Sequence, residues 1–199
     1  MNTLKGTWLK IKKGDEYTQP SFIEFENDQI IHYDVEQKNA DELSKQAKKW
    51  SEKLSESKYE FISEHRVRFF RKGKMHTVLS ETASITEDYE YVTDYVRIAP
   101  TKTELTAKEI QKLEFTAQWN NEKISFIFNK ELDSPVIKEI NKRLNREGEK
   151  LLLENLQGTY FATRYENGER QTLIGIKEVT NEKAILFGFP KTPYEIIAQ

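Results

Sequence analysis

The chain has 199 residues, room for one generous domain or two small ones, and its 31 Lys and Arg against 33 Asp and Glu leave a formal net charge of -2. Nucleic-acid binders draw affinity from neutralising phosphates and carry a basic excess, so this balance argues against a nucleic-acid partner. The absence of cysteine removes disulfides, thiolate metal sites and thiol nucleophiles together, while 11 Phe, 9 Tyr and 3 Trp supply ample area for a core.

The chain opens on Leu4-Lys5-Gly6-Thr7-Trp8 and repeats the pattern at Leu156-Gln157-Gly158-Thr159-Tyr160. Each unit puts a residue without a side chain where the backbone bends, then a large ring at the start of a strand. Gly6, Trp8, Gly158 and Tyr160 are read as structural residues, with Trp8 a core plug. The early segment is broken by Lys10, Lys12, Lys13, Asp15 and Glu16, and no run approaches the ~20 apolar residues of a membrane span. A cytoplasmic protein with no membrane span is the expectation.

Residues 22–26 and 30–35 flank Asn27-Asp28, which tolerate the left-handed backbone of a tight turn, and predict a hairpin. From Ala40, Leu43, Ala47, Trp50 and Leu54 recur at spacings of three and four behind a cap-like Asn39. That period predicts an amphipathic helical insertion near 40–56, its Lys and Glu forming an ordinary solvated face. Residues 65–71 and 75–79 read as strands around a Lys72-Gly73 turn, a second hairpin. Over 89–98, Val92, Val96 and Ile98 share one face, and Tyr89, Tyr91, Tyr95 and Arg97 the other.

Thr106 with Glu109 marks a short capped helical turn. Residues 113–119 and 124–128 around Asn120-Asn121 predict a third hairpin. Ser134-Pro135 opens a second helical insertion over 134–147 through Ile137, Ile140 and Leu144. Past the second Gly-Thr unit, Asn167-Gly168 is the strongest turn signal, and residues 180–183 link 173–179 to 184–189.

Ten to twelve strands against two or three helices predict a mainly β fold, an antiparallel barrel or strongly curved sheet, in a single domain spanning 1–199. The ~40 residues after the second Gly-Thr unit hold roughly three strands, too few for a stable sheet alone. They are therefore expected to join the sheet begun by the N-terminus, with the two Gly-Thr-aromatic strands near a closure seam.

Gly6-Thr7-Trp8 resembles the Gly-x-Trp of lipocalins, where the tryptophan starts the first strand and caps the closed end of an up-and-down barrel. The likeness is closest to lipocalin-like (calycin-type) bacterial proteins. It implies a barrel that holds a small apolar or amphipathic ligand. The chain departs from the secreted members in lacking cysteines and an export signal, and in its predicted helix at 40–54.

Catalytic motifs are thin. His32, His65 and His76 form no His-x-His or His-x-x-x-His pair, and no nucleophile elbow or phosphate-binding glycine loop is present. No catalytic residue, metal or cofactor is assigned, and a binding protein is favoured over an enzyme. The suggestive feature is cations alternating with aromatics, which makes Arg68, Phe70, Tyr89, Tyr91, Tyr95 and Arg97 the candidate ligand-binding residues. Facing into a barrel they would orient an acid-headed apolar ligand; facing outward they would form a surface for a protein partner of inhibitor or immunity type. A wide apolar cavity favours the first, a filled barrel with an exposed aromatic patch the second, and a His touching a buried carboxylate a barrel enzyme.

Overall fold

The computed structural model describes residues 3–13, 21–35, 43, 45–119, 122–132, 135–144, 148–187 and 194–198. Its first seven strands are β1 (Thr7–Lys13), β2 (Ser21–Glu26), β3 (Gln29–Val35), β4 (Lys45–Lys53), β5 (Lys58–Ser63), β6 (Arg66–Ser80) and β7 (Ala83–Arg97). They form one antiparallel sheet in the order β4-β3-β2-β1-β7-β6-β5. Each strand thus lies beside its sequence neighbour, β7 returns to β1, and the seam falls between β4 and β5. The sheet curls into a half-barrel. At the seam the chain after β4 is tied to the β2–β3 turn, where Leu54 N–H donates to Asp28 O (2.9 Å) and Ser55 N–H to Asp28 Oδ1 (2.8 Å).

The second half follows the same scheme. After α1 (Ala107–Ile110) come β8 (Glu114–Trp119), β9 (Glu122–Ile127), α2 (Pro135–Leu144), β10 (Lys150–Leu156), β11 (Thr159–Glu166), β12 (Glu169–Val179), β13 (Lys183–Leu186) and β14 (Tyr194–Ala198). Their order is β10-β11-β12-β13-β14-β8-β9, so β14 returns to β8. Asn129 N–H to Leu151 O (2.7 Å) and Leu132 N–H to Glu149 O (3.1 Å) draw the β9 end toward β10. The expected mainly β, antiparallel, strongly curved architecture is present, as two sheets of seven strands each among the described residues.

Local chemistry explains the elements that match expectation. Asn27 and Asp28 take φ of 43° and 63°, and Asn167 and Gly168 take 51° and 78°, the backbone of a two-residue hairpin turn. At α1 the Thr106 hydroxyl accepts from Glu109 N–H while the Glu109 carboxylate accepts from Thr106 N–H, a reciprocal cap. The third hairpin joins β8 to β9, and α2 begins at the predicted Pro135. Asn120, Asn121 and Ser134 lie outside the described residues.

Three expectations are corrected. The helical insertion predicted near 40–56 is a strand over Lys45–Lys53, its cap-like Asn39 and Ala40 lying outside the described residues: β4 pairs along β3, from Gln29 opposite Lys53 to Val35 opposite Lys45. Backbone pairing with a waiting strand edge outweighs the helical preference of a Lys- and Glu-rich segment, which amounts to tenths of a kcal/mol per residue. The Lys72-Gly73 hairpin does not form either, because β6 runs unbroken from Arg66 to Ser80 and its turn lies at Glu81-Thr82. Lastly, the strands after Gly158 do not join the N-terminal sheet. They pair with β8 and β10 instead, which supplies the extra strands they lack alone.

The two sheets share apolar packing. Leu9, Phe22 and Val96 of the first meet Leu156, Phe161 and Leu173 of the second, with Phe22 and Phe161 edge to face at 6.0 Å. The crossing chain at residues 98–102 runs between the two Gly-Thr units: Ile98 N–H donates to Thr7 O, and Thr101 N–H to Gly158 O, each at 3.0 Å. Thr159 Oγ1 donates to Ala99 O (2.7 Å). Gly6 (φ 116°) and Gly158 (φ 86°) occupy backbone that L side chains rarely adopt, which accounts for the glycine in each unit.

Candidate functional site

Strand alternation places Trp8, Phe25, His32, Phe69, Tyr95 and Arg97 on the inner face of the half-barrel. Rings from distant strands meet there. Trp8 of β1 lies 6.4 Å from Phe61 of β5, and Phe25 of β2 lies 6.1 Å from Phe69 of β6. Trp8 is fully buried, its indole N–H donates to Leu4 O (2.8 Å), and the Arg97 guanidinium sits 4.7 Å above its ring.

A polar tie crosses the same face. Glu52 on β4 takes His32 Nε2 at 2.9 Å and Arg71 Nη1 of β6 at 2.6 Å, although four strands separate β4 from β6 in the sheet. Strands lie ~4.8 Å apart, so only strong curvature brings these groups together. Burial acts to raise the Glu52 carboxyl, but the His32 hydrogen bond and the Arg71 charge outweigh it and hold it below its usual range. Trp50 stacks on His32 at 3.6 Å, and burial pushes the Tyr95 hydroxyl up to about 12. A His touching a buried carboxylate is the feature that favours a barrel enzyme. Here the Glu52 carboxylate is partly exposed and shared between His32 and the Arg71 guanidinium, the arrangement of a structural tie across the sheet.

Beyond this face β6 and β7 run on with no other described strand beside them. β5 pairs β6 only as far as Phe70, and β1 pairs β7 only as far as Thr93. Residues 72–80, paired back to residues 83–90, form a two-stranded arm about 30 Å long at ~3.3 Å per residue, with both edges open among the described residues. Its two faces differ. One carries Lys72 across from Glu90, Lys74 across from Asp88, and His76 Nδ1 at 2.9 Å from Thr86 Oγ1. The other prolongs the inner face of the half-barrel through Tyr91, Tyr89, Met75 and Ile85, with Glu87 in their midst. Met75, Ile85 and Tyr89 are 49%, 46% and 36% exposed. Gly73 belongs to this face because the Tyr89 ring crosses it: a Cβ there would lie 2.7 Å from Tyr89 Cε1.

The six candidate binding residues do not assemble into one pocket. Tyr89, Tyr91, Tyr95 and Arg97 share the inner face, as their alternation implied. Arg68 and Phe70 point to the opposite face. There Arg68 Nε donates to Asp94 Oδ1 (2.8 Å), Arg66 also holds Asp94, and the Lys58 ammonium lies 5.0 Å from the Phe70 ring. Burial raises the Asp94 carboxyl, but the two arginines outweigh it and hold it below its usual range. The premise that Arg68 and Arg97 line one cavity is thus corrected, since residues 68 and 97 fall on opposite sides of the pleat in register. Sequence reasoning missed Arg71, Glu52, Met75 and Ile85. The first two meet only through curvature, and the last two were hidden by the misplaced turn at Gly73.

Among the described residues no cluster of His, Asp or Glu is arranged to hold a metal ion, and no helix is long and apolar enough to cross a membrane. No protein-family model matches the chain, and neither does any curated protein.

Proposed function

We propose that this protein is an interaction module that docks another protein on the apolar face of its β6–β7 arm. The carrying observation is that face: Met75, Ile85 and Tyr89 surround Glu87 and stand half exposed on a ribbon that no other described element covers. A sheet face of this kind gains stability only when a second layer or further strand buries it, and two-stranded ribbons are marginal alone. Tyr and Met are favoured at the centres of interfaces. The reading of the barrel as a ligand carrier draws less support, because Trp8, Phe25, Phe61 and Phe69 pack against one another where a ligand would lie.

Site-specific photo-crosslinking in the producing cell tests the proposal. A crosslinking residue at Met75 or Ile85 is expected to yield a discrete protein adduct, while one at Thr86, on the polar face, yields little. Equal adducts from all three positions, or none, would remove the arm as the docking surface.

A further inference from the structure

The arm also points to the form of what it binds. β7 presents Asp88 and Glu90 on one side of the pleat and Ile85, Tyr89 and Tyr91 on the other, with Glu87 among them. Its inner neighbour β6 answers that pattern with Lys72 across from Glu90, Lys74 across from Asp88 and Met75 on the apolar side. The outer edge of β7 offers the same alternation to a further strand, and among the described residues none pairs there below Thr93. Residues 83–92 hold three acids and no base.

Resting on the docking role just proposed, we infer that the occupant is an extended segment of another protein, alternating basic and apolar residues, that adds as a third strand to the open edge of β7. Main-chain hydrogen bonds would supply affinity, and the basic row set against Asp88 and Glu90 would fix register and partner choice. Strand addition fits better than a helix laid on the ribbon because only a strand pairs the main-chain groups of the open β7 edge, and because a helix covering the apolar side would meet Glu87 but leave Asp88 and Glu90 on the polar side unmatched. A third strand is also what a two-stranded ribbon lacks to be stable by itself.

The probe is a short capped peptide alternating Lys and Val, titrated by fluorescence anisotropy against the full chain. Saturable binding is expected. It should weaken at least ~10-fold for the Glu-Val counterpart, for the fully N-methylated Lys-Val peptide, and for the Asp88→Lys, Glu90→Lys protein, since these remove charge complementarity or main-chain donors. Circular dichroism of the variant should match the parent. Undiminished binding of the N-methylated peptide reduces the effect to surface charge and overturns the inference, as does absence of binding. So does concentration-dependent self-association abolished by the same double variant, because the edge then serves a second copy. If a basic amphipathic helical peptide binds instead, and Ile85→Ser abolishes it, the strand inference fails while the docking role stands.

Discussion

At Trp8 several constraints converge on one side chain. Gly6 sets the backbone, the indole N–H finds Leu4 O, and the ring is enclosed by Phe25, Phe61 and the Arg97 guanidinium. Removing a fully buried ring leaves a cavity that the surrounding rings cannot close without leaving their own contacts, so Trp8→Ala is expected to cost ~3–5 kcal/mol. Urea unfolding measures it, and a loss below ~1 kcal/mol would contradict full burial. Trp8 and the two turn glycines were legible from sequence because a Gly-Thr-aromatic unit has few local solutions. Arg97 was legible only as a member of a strand face. Its place above Trp8 depends on β7 returning to β1, a contact between residues far apart in the chain.

Among elements, the β6–β7 hairpin carries the most consequence and departs furthest from what its sequence suggests. Its Lys72-Gly73 dipeptide has the composition of a turn, yet Gly73 lies mid-strand because the Tyr89 ring, stacked on Tyr91 at 5.2 Å, occupies the space a side chain would fill. Gly73→Ala is therefore expected to push Tyr89 off Tyr91 and speed amide exchange along the arm. The rest of the protein should melt within ~2 °C of the parent, since the arm adds little to either core. Unchanged exchange in residues 72–90 would show that the ring has room to yield without cost. The segment at β4 was misread for a related reason. Its apolar spacing suits a helix, but the open side of β3 offers backbone partners that local periodicity does not register.

For the whole molecule, the shared packing of Leu9, Phe22 and Val96 with Leu156, Phe161 and Leu173 couples the two sheets. Deleting residues 156–199 removes β11 to β14, dismantles the second sheet and uncovers that side of the first. The truncated chain is expected to lose its cooperative thermal transition or to melt far below the parent; a transition near the parent temperature would show that the first sheet stands alone. The buried Arg170–Glu154 pair, with Arg170 Nε at 3.0 Å from Glu154 Oε1, lies wholly within the second sheet and would be lost with it. Alternation, turn residues and caps determined by themselves that the chain is β-rich and antiparallel, where its Asn-Asp, Asn-Gly and Thr-x-x-Glu signals act, and which tyrosines share a face, because these depend on neighbours a few residues apart. Only the tertiary structure decided that there are two sheets rather than one, that 45–53 is a strand, that Glu52 reaches Arg71, and that β6 and β7 outrun their neighbours as an open arm. Each of these is set by which strand edges find partners, a competition among distant segments that no local window contains.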